Sequence, residues 1–348
     1  MAPKFRGGSD DWLDSSASSK ARNARKKAKG GVSPRATALA PEEANGTVAE
    51  IFHKQCRVFF DDGRMALCSY RRAAVLGALG EEAGRERSPV AVGDRVLAQV
   101  ISGQDGVIDG VSTRVRRLVR PAPGRDPGNT HVIASNIDTL CIVASARDPD
   151  FNEGLVDRFL VAASREGIHP IICVNKVDLV ETAGHTWSAY LGIGYELFEA
   201  SAKFGRGLEP VKTRLLGCTV AFCGHSGVGK TSLLSALIGQ DIGKVGDVSA
   251  FTGKGKHTTT GAVLLPLSLT GGPGQTRWID TPGVKEFGLA GIEAKELAAH
   301  FPEFARLACN EHGCEHAGTA QIEGCEAVKL PRHASYRRIY DSLQAGEN

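Results

Sequence analysis

The order of two short motifs constrains this chain more than any other feature. "NKVD", Asn175 to Asp178, precedes "GHSGVGKTS", Gly224 to Ser232. The second stretch fits G-x-x-x-x-G-K-[ST], a loop that cradles nucleotide phosphates between a strand and a helix. Apolar "TVAFC" runs into it and helix-forming "TSLLSALIG" runs out. Gly224, Gly227 and Gly229 let backbone N–H groups turn inward, with His225, Ser226, Val228 and Ser232 completing the binding loop. Lys230 is placed to put an ammonium on the β- and γ-phosphates, and the Thr231 hydroxyl to ligate magnesium.

"NKVD" reads as a guanine selector. Asp178 can accept hydrogen bonds from guanine N1–H and its 2-amino group, and adenine offers neither donor. Asn175 ties the reader to the phosphate loop, and the Lys176 stem covers one face of the base. "SAK", Ser201 to Lys203, ends the next strand and offers the Ala202 N–H to guanine O6. Downstream, "RWIDTPGV" supplies Asp280 to hold magnesium through water and the Gly283 N–H for the γ-phosphate. Each motif closes an apolar run, and helix-length segments separate most of these runs. Such alternation implies a parallel sheet covered on both faces, with ligands at the carboxyl ends of the strands. In an ordinary GTPase the phosphate loop comes first. Here the order is guanine reader, O6 contact, phosphate loop, switch, Asp-x-x-Gly. The expected fold is therefore an α/β P-loop GTPase domain that is circularly permuted, a re-cut possible where the original termini lie close together.

The flanks differ from this core. Residues 1–45 form a basic arm, with nine Lys or Arg against Asp10, Asp11 and Asp14 in its first forty positions. Such an arm buries no core and is expected to be disordered, either solvated or in contact with a nucleic-acid backbone. Residues 46–122 show short alternating runs broken by Gly and Asp, the pattern of a small all-β barrel of the OB type. Arg114, Arg116, Arg117 and Arg120 fall near its end, as a solvated strand edge or a contact for RNA. Residues 123–290 hold the nucleotide motifs, and 291–348 a small, mainly helical module. No run is long enough to cross a membrane and no signal core is present, so a cytoplasmic, reducing setting is expected. Cys56, Cys68, Cys141, Cys173, Cys218 and Cys223 then read as small core residues. Cys309, Cys314, His316 and Cys325 are different. Three thiolates and an imidazole suit one closed, structural zinc site, with His312 as a rival ligand.

Between the phosphate loop and Asp280 lies the Gly/Ser/Thr-rich stretch Gly246 to Ala262, with "KHTTT" inside it. One of Thr258, Thr259 and Thr260 is expected to bind magnesium and the γ-phosphate. The residue after Asp-x-x-Gly, often a water-orienting Gln, is Val284. His257 is the candidate to position water instead, against the alternative of an exposed loop histidine.

Taken together, the barrel, permuted motifs, "KHTTT" switch and Cys-x4-Cys-x-His tail resemble the RsgA family of small ribosomal subunit biogenesis GTPases over about residues 46 to 340. This chain departs by a small insertion before Cys325. The resemblance favours Thr259, with Thr260 second. It implies GTP hydrolysis in late maturation of the small subunit, with the subunit and its rRNA as partners and as stimulator. It also implies a monomer that uses zinc and magnesium. The alternative is a GTP-gated RNA-binding scaffold with incidental turnover.

Overall fold

The computed structural model describes residues 39–52, 55–70, 90–121, 130–181, 185–242, 261–265, 276–281, 289, 291–309, 314–317 and 325–346. Residues 1–38, the switch residues His257, Thr258, Thr259 and Thr260, and also Gly283, Val284 and His312, lie outside this set.

Five strands close a barrel in the order β1-β2-β3-β5-β4: β1 (Gly46–Ile51), β2 (Gln55–Phe60), β3 (Met65–Tyr70), β4 (Arg95–Ser102) and β5 (Asp105–Val111). The "DDG" turn joins β2 to β3, as such a sequence should. Alternate side chains point inward, and Val48, Val58, Cys68, Val96, Ala98 and Val111 fill the interior. Residues 39–45, counted above with the arm, are ordered on this barrel. Leu39 bridges Ser112, and the Asn45 side chain bonds both backbone groups of Ala98. An apolar anchor and a satisfied amide hold them there.

A hairpin of β6 (Arg117–Pro121) and β7 (Thr130–Ser135) leads out of the barrel. A buried polar hub, Asp94, ties the two regions. It accepts from Arg114 at 2.9 and 2.8 Å, from Ser135 Oγ at 2.6 Å and from the Ala91 N–H at 2.7 Å. For Arg114 this corrects both readings, solvated edge and RNA contact. Arg114 is buried in that hub, Arg116 pairs with Asp138, and Arg117 lies 3.6 Å from Glu166. Carboxylates from distant sequence neutralise them.

The second sheet has six strands: β8 (Thr139–Ser145), β9 (His169–Asn175), β10 (Glu196–Glu199), β11 (Thr219–Cys223), β12 (Val263–Leu265) and β13 (Arg277–Asp280). Their spatial order is β10-β9-β8-β11-β13-β12, parallel except for β12. Every residue of β8 and of β11 is buried, which is why both read as unbroken apolar runs. Helices α1 (Glu153–Arg165), α2 (Ser188–Ile193), α3 (Leu208–Leu215) and α4 (Lys230–Ile238) connect the parallel strands. The chain builds outward from β8 to β10, then returns to lay β11 on the other side of β8. That reversal opens a crevice at the carboxyl ends of β8 and β11, the place where ligands bind in such sheets.

The C-terminal segment contributes short 3-10 turns and α5 (His333–Gln344). Phe301, Phe304, Tyr336 and Ile339 pack together with Val161 of α1. Helix α1 thus has two buried faces. One, including Phe159 and Leu160, meets the sheet, and the other meets the C-terminal module. Among the described residues, no helix is long and apolar enough to cross a membrane.

Candidate functional site

Three separated segments meet at the crevice. Asn175, the last residue of β9, is 2% exposed. Its Nδ2 donates to the Val228 carbonyl at 3.0 Å and to Gly229 at 3.4 Å, while its Oδ1 accepts the Ala202 N–H at 3.0 Å. One amide thus pins the phosphate loop and the "SAK" loop to the same point. Gly229 makes this possible. It has φ of 84°, and a Cβ there would lie 2.5 Å from Asn175 Nδ2. The Ala202 N–H expected on guanine O6 is engaged by Asn175 here. Base binding at that atom involves sharing or exchanging this donor.

Lys176 takes a left-handed conformation, φ 61°. Its ammonium donates to the Gly227 carbonyl at 2.7 Å and to the Asp148 carbonyl. It straps the β8–α1 loop across the phosphate loop. Asp148 carries no motif, and its contribution is a backbone oxygen, so no sequence pattern signals it. Asp178 follows in a 3-10 turn, and its Oδ1 accepts from Ser201 Oγ at 2.5 Å. Ser201 is fully buried and is locked by reciprocal backbone bonds with Arg206 at 3.0 and 3.1 Å. One carboxylate oxygen is therefore fixed by a donor from the protein, which sets the direction of the other.

The phosphate side is built on β11, β13 and α4. The loop after Cys223 turns directly into α4, whose N-terminal N–H groups favour an anion. Lys230 opens that helix. Its ammonium donates to the Thr281 carbonyl at 2.8 Å and lies 3.4 Å from Asp280 Oδ1. Thr281 is itself fixed by donating to the Phe222 carbonyl at 2.6 Å. Asp280 Oδ1 is buried and makes no hydrogen bond. Burial raises the Asp280 carboxyl above its ordinary value, and Lys230 opposes that rise. A buried carboxylate oxygen held only by the Lys230 ammonium at 3.4 Å, on a strand end beside the phosphate loop, fits a group that works on a metal or its water shell. Thr231 and Ser232 are exposed, and together with Ala202, Ser235 and Gln240 they line an open cleft against α4. His225 is also exposed, its Nδ1 2.7 Å from the Ser226 carbonyl.

The C-terminal cluster forms as its spacing implied. Cys309, Cys314, His316 and Cys325 bring four ligand atoms within 4.8 Å of one another. Cys309 and Cys325 sulfurs are 3.8 Å apart, and His316 Nδ1 is 3.6 and 3.3 Å from them. A tetrahedral zinc with Zn–S of about 2.3 Å and Zn–N of about 2.0 Å needs S···S near ~3.8 Å and S···N near ~3.5 Å. The donor set and its spacing fit such an ion. His316 is 1% exposed. Burial lowers its basicity, with His333 adding to the effect, and so keeps the imidazole in the neutral form that ligates. Tyr336 Oη donates to the Glu315 carbonyl at 2.5 Å, and His333 Nε2 sits 2.9 Å from the His316 carbonyl. Both hold the short segment between two ligands.

The chain is similar to known proteins in sequence and fold. The family model described as RsgA GTPase matches residues 111–290. The small ribosomal subunit biogenesis GTPase RsgA of Chlorobaculum tepidum is 36% identical over 320 residues, covering 87% of this chain and 99% of that protein. The protein of the same name from Shewanella oneidensis is 36% identical over 319 residues, covering 88% and 85%. The crystal structure of YjeQ from Thermotoga maritima superposes with a TM-score of 0.63 at 26% identity, covering 86% of this chain and 98% of that one. YloQ, titled a circularly permuted GTPase, has the same fold, with a TM-score of 0.59 at 23% identity over 87% and 96%.

Proposed function

The chain belongs to the RsgA family of GTPases, and from this we propose that it hydrolyses GTP as a switch in late maturation of the small ribosomal subunit. The observation that carries the reading is the double attachment of Asn175, which joins guanine reader and phosphate loop despite their inverted order in the chain.

Asp178 reads guanine and Lys176 flanks the base. Lys230, on binding, turns its ammonium from the Thr281 carbonyl to the β- and γ-phosphate oxygens. Water attacks the γ-phosphorus in line, the bond to the β–γ bridging oxygen breaks, and GDP leaves. Thr231, Thr259 and Asp280 hold magnesium, with Gly283 and Thr260 at the γ-phosphate. When bound, magnesium neutralises charge developing on the phosphates. Val284 offers nothing to orient water, so His257 takes that role once the subunit orders the switch. Cys309, Cys314, His316 and Cys325 hold one structural zinc. The barrel of residues 46–122 and the zinc module of 291–348 flank the switch domain of 123–290 and grip subunit and rRNA from either side. The protein works as a cytoplasmic monomer.

Single-turnover GTP cleavage with and without saturating small subunits tests this. Unassisted turnover should lie on the order of 10⁻⁴ to 10⁻² per second, with a large rise on adding subunits. His257→Ala should keep nucleotide and subunit binding yet lose most of that rise. A wild type that neither binds subunits nor responds to them would remove the reading. A His257→Ala rate equal to wild type would place the water-positioning group elsewhere.

A further inference from the structure

The loop that carries Ala202 has a tip that guanine recognition does not use. Phe204 is 57% exposed there. Lys203 Nζ lies 5.1 Å from its ring centroid, and the Arg206 guanidinium carbon lies 5.8 Å from it. Among the described residues, neither cation is taken up in an ion pair; both rest on the ring. The tip is also stiff. Ser201 and Arg206 exchange two backbone hydrogen bonds. Gly207 closes the turn at φ 68°, where a Cβ would lie only 2.0 Å from the Glu199 carbonyl oxygen.

We propose that Phe204, with Lys203 and Arg206, is a docking point for an unpaired RNA base at the rim of the guanine cleft. Exposed phenyl surface is costly unless something covers it, and the chemistry around it selects the partner. A hydrophobic protein segment would want aliphatic neighbours around the ring. Here two cations lie over the ring, and a base that stacks on the phenyl face displaces a cation from it to the adjoining phosphates. The short closed turn keeps the ring presented, so little ordering cost falls on binding. The proposal rests on the ribosomal reading above and names a contact within it.

The test uses the full chain loaded with a non-hydrolysable GTP analogue and purified small subunits. Phe204→Ala should weaken subunit binding by roughly 5- to 100-fold, the range of one lost base stack. GTP affinity and unassisted turnover should stay unchanged. Phe204→Trp should keep full binding, whereas Phe204→Leu, apolar but unable to stack well, should resemble Phe204→Ala. A photo-crosslinking phenylalanine analogue at position 204 should attach to RNA. Wild-type subunit affinity in Phe204→Ala overturns the contact while leaving the parent reading intact. Crosslinking to ribosomal protein alone, or a Phe204→Leu that binds like wild type, assigns the tip to a protein partner and overturns the RNA proposal. Failure of the wild type to bind subunits removes the parent reading and this contact with it.

Discussion

Arg332 lies 3.2 Å from Asp157, with their side chains 2% and 0% exposed. Arg332 comes from the residue before α5, and Asp157 from the middle of α1. The guanidinium also lies 3.3 Å from Glu303 and 4.5 Å from the centre of the Phe301 ring. Tyr190 Oη donates to the same Asp157 at 3.0 Å. A charged centre is thus sealed between α1 of the nucleotide domain and the C-terminal module.

Removing the cation leaves the buried Asp157 with its Tyr190 hydrogen bond but no counter-charge, and Glu303 beside it. Arg332→Ala should cost about 3–5 kcal/mol of stability. Burial already raises the Asp157 carboxyl above its ordinary value, with Arg332 opposing. A raised acid favours the folded state at low pH and loses that contribution as pH rises through its folded value. Without Arg332 the rise is larger. The deficit of Arg332→Ala should therefore deepen from acid towards neutral pH, and Asp157→Asn added to it should recover part of the loss. Urea unfolding of the single and double variants across that range is the measurement. A deficit that does not change with pH would mean that lost packing, not charge, dominates.

Asp178→Asn should redirect base choice. Ser201 donates to Asp178 Oδ1, so the substituted amide keeps its carbonyl on Ser201 and presents its NH2 to the base. Guanine N1–H and 2-amino groups then meet a donor, while xanthine offers an oxygen at position 2. Hydrogen bonds to a charged group are worth about 1.5–3 kcal/mol, so GTP affinity should fall by roughly 10- to 100-fold and xanthosine triphosphate should compete. Unchanged guanine preference in a competition assay would show that the base is read elsewhere.

Lys230 and Asp280 should separate binding from stability. Lys230→Ala should abolish nucleotide binding and also destabilise the free protein, because Asp280 is left buried without its counter-charge. Asp280→Asn removes that buried charge. It should leave the free protein at least as stable as wild type while removing the magnesium-dependent part of GTP affinity. Thermal unfolding with and without GTP and magnesium reads both effects. A destabilised Asp280→Asn free protein would mean that the pair is a net structural asset.

Metal content offers a direct check on the cysteine cluster. Purified protein should carry about one zinc per chain, and chelation should lower its thermal midpoint. Cys314→Ser should lose the metal and loosen the packing of Phe304 and Tyr336, which His316 joins edge-on. Elemental analysis finding no metal, with Cys314→Ser as stable as wild type, would leave the cluster without this role.

How far these features could be read from the chain depended on where the partners lie. The phosphate loop was legible because its task needs Gly, Lys and Thr at set spacings on a strand-to-helix turn. The permuted order was legible for the same reason, and the ligand spacing of the Cys/His cluster followed from tetrahedral geometry. The Ser201–Asp178 bond has no sign in the chain, since nothing in "NKVD" or "SAK" says which side chains face each other. Lys176 on Asp148 could not be seen, because its partner is a carbonyl. The burial of Arg114 had no local sign, because its carboxylate, Asp94, comes from another element. Arg332 had no local signal at all. Its meaning depends on a helix that lies far upstream.

The order β10-β9-β8-β11-β13-β12 also determines what can pair with the sheet from outside. Among the described residues both of its edges are short. β10 has four residues with a glutamate at each end, and β12 has three. Leu264 of β12 shares a packed cluster with Ala49 of the barrel. A foreign strand would find little unpaired backbone to add to, and charge at the β10 rim would oppose it. The split that places the guanine reader before the phosphate loop thus leaves the carboxyl ends of β8 and β11 at the crevice, with charge at the described β10 border and the barrel against β12.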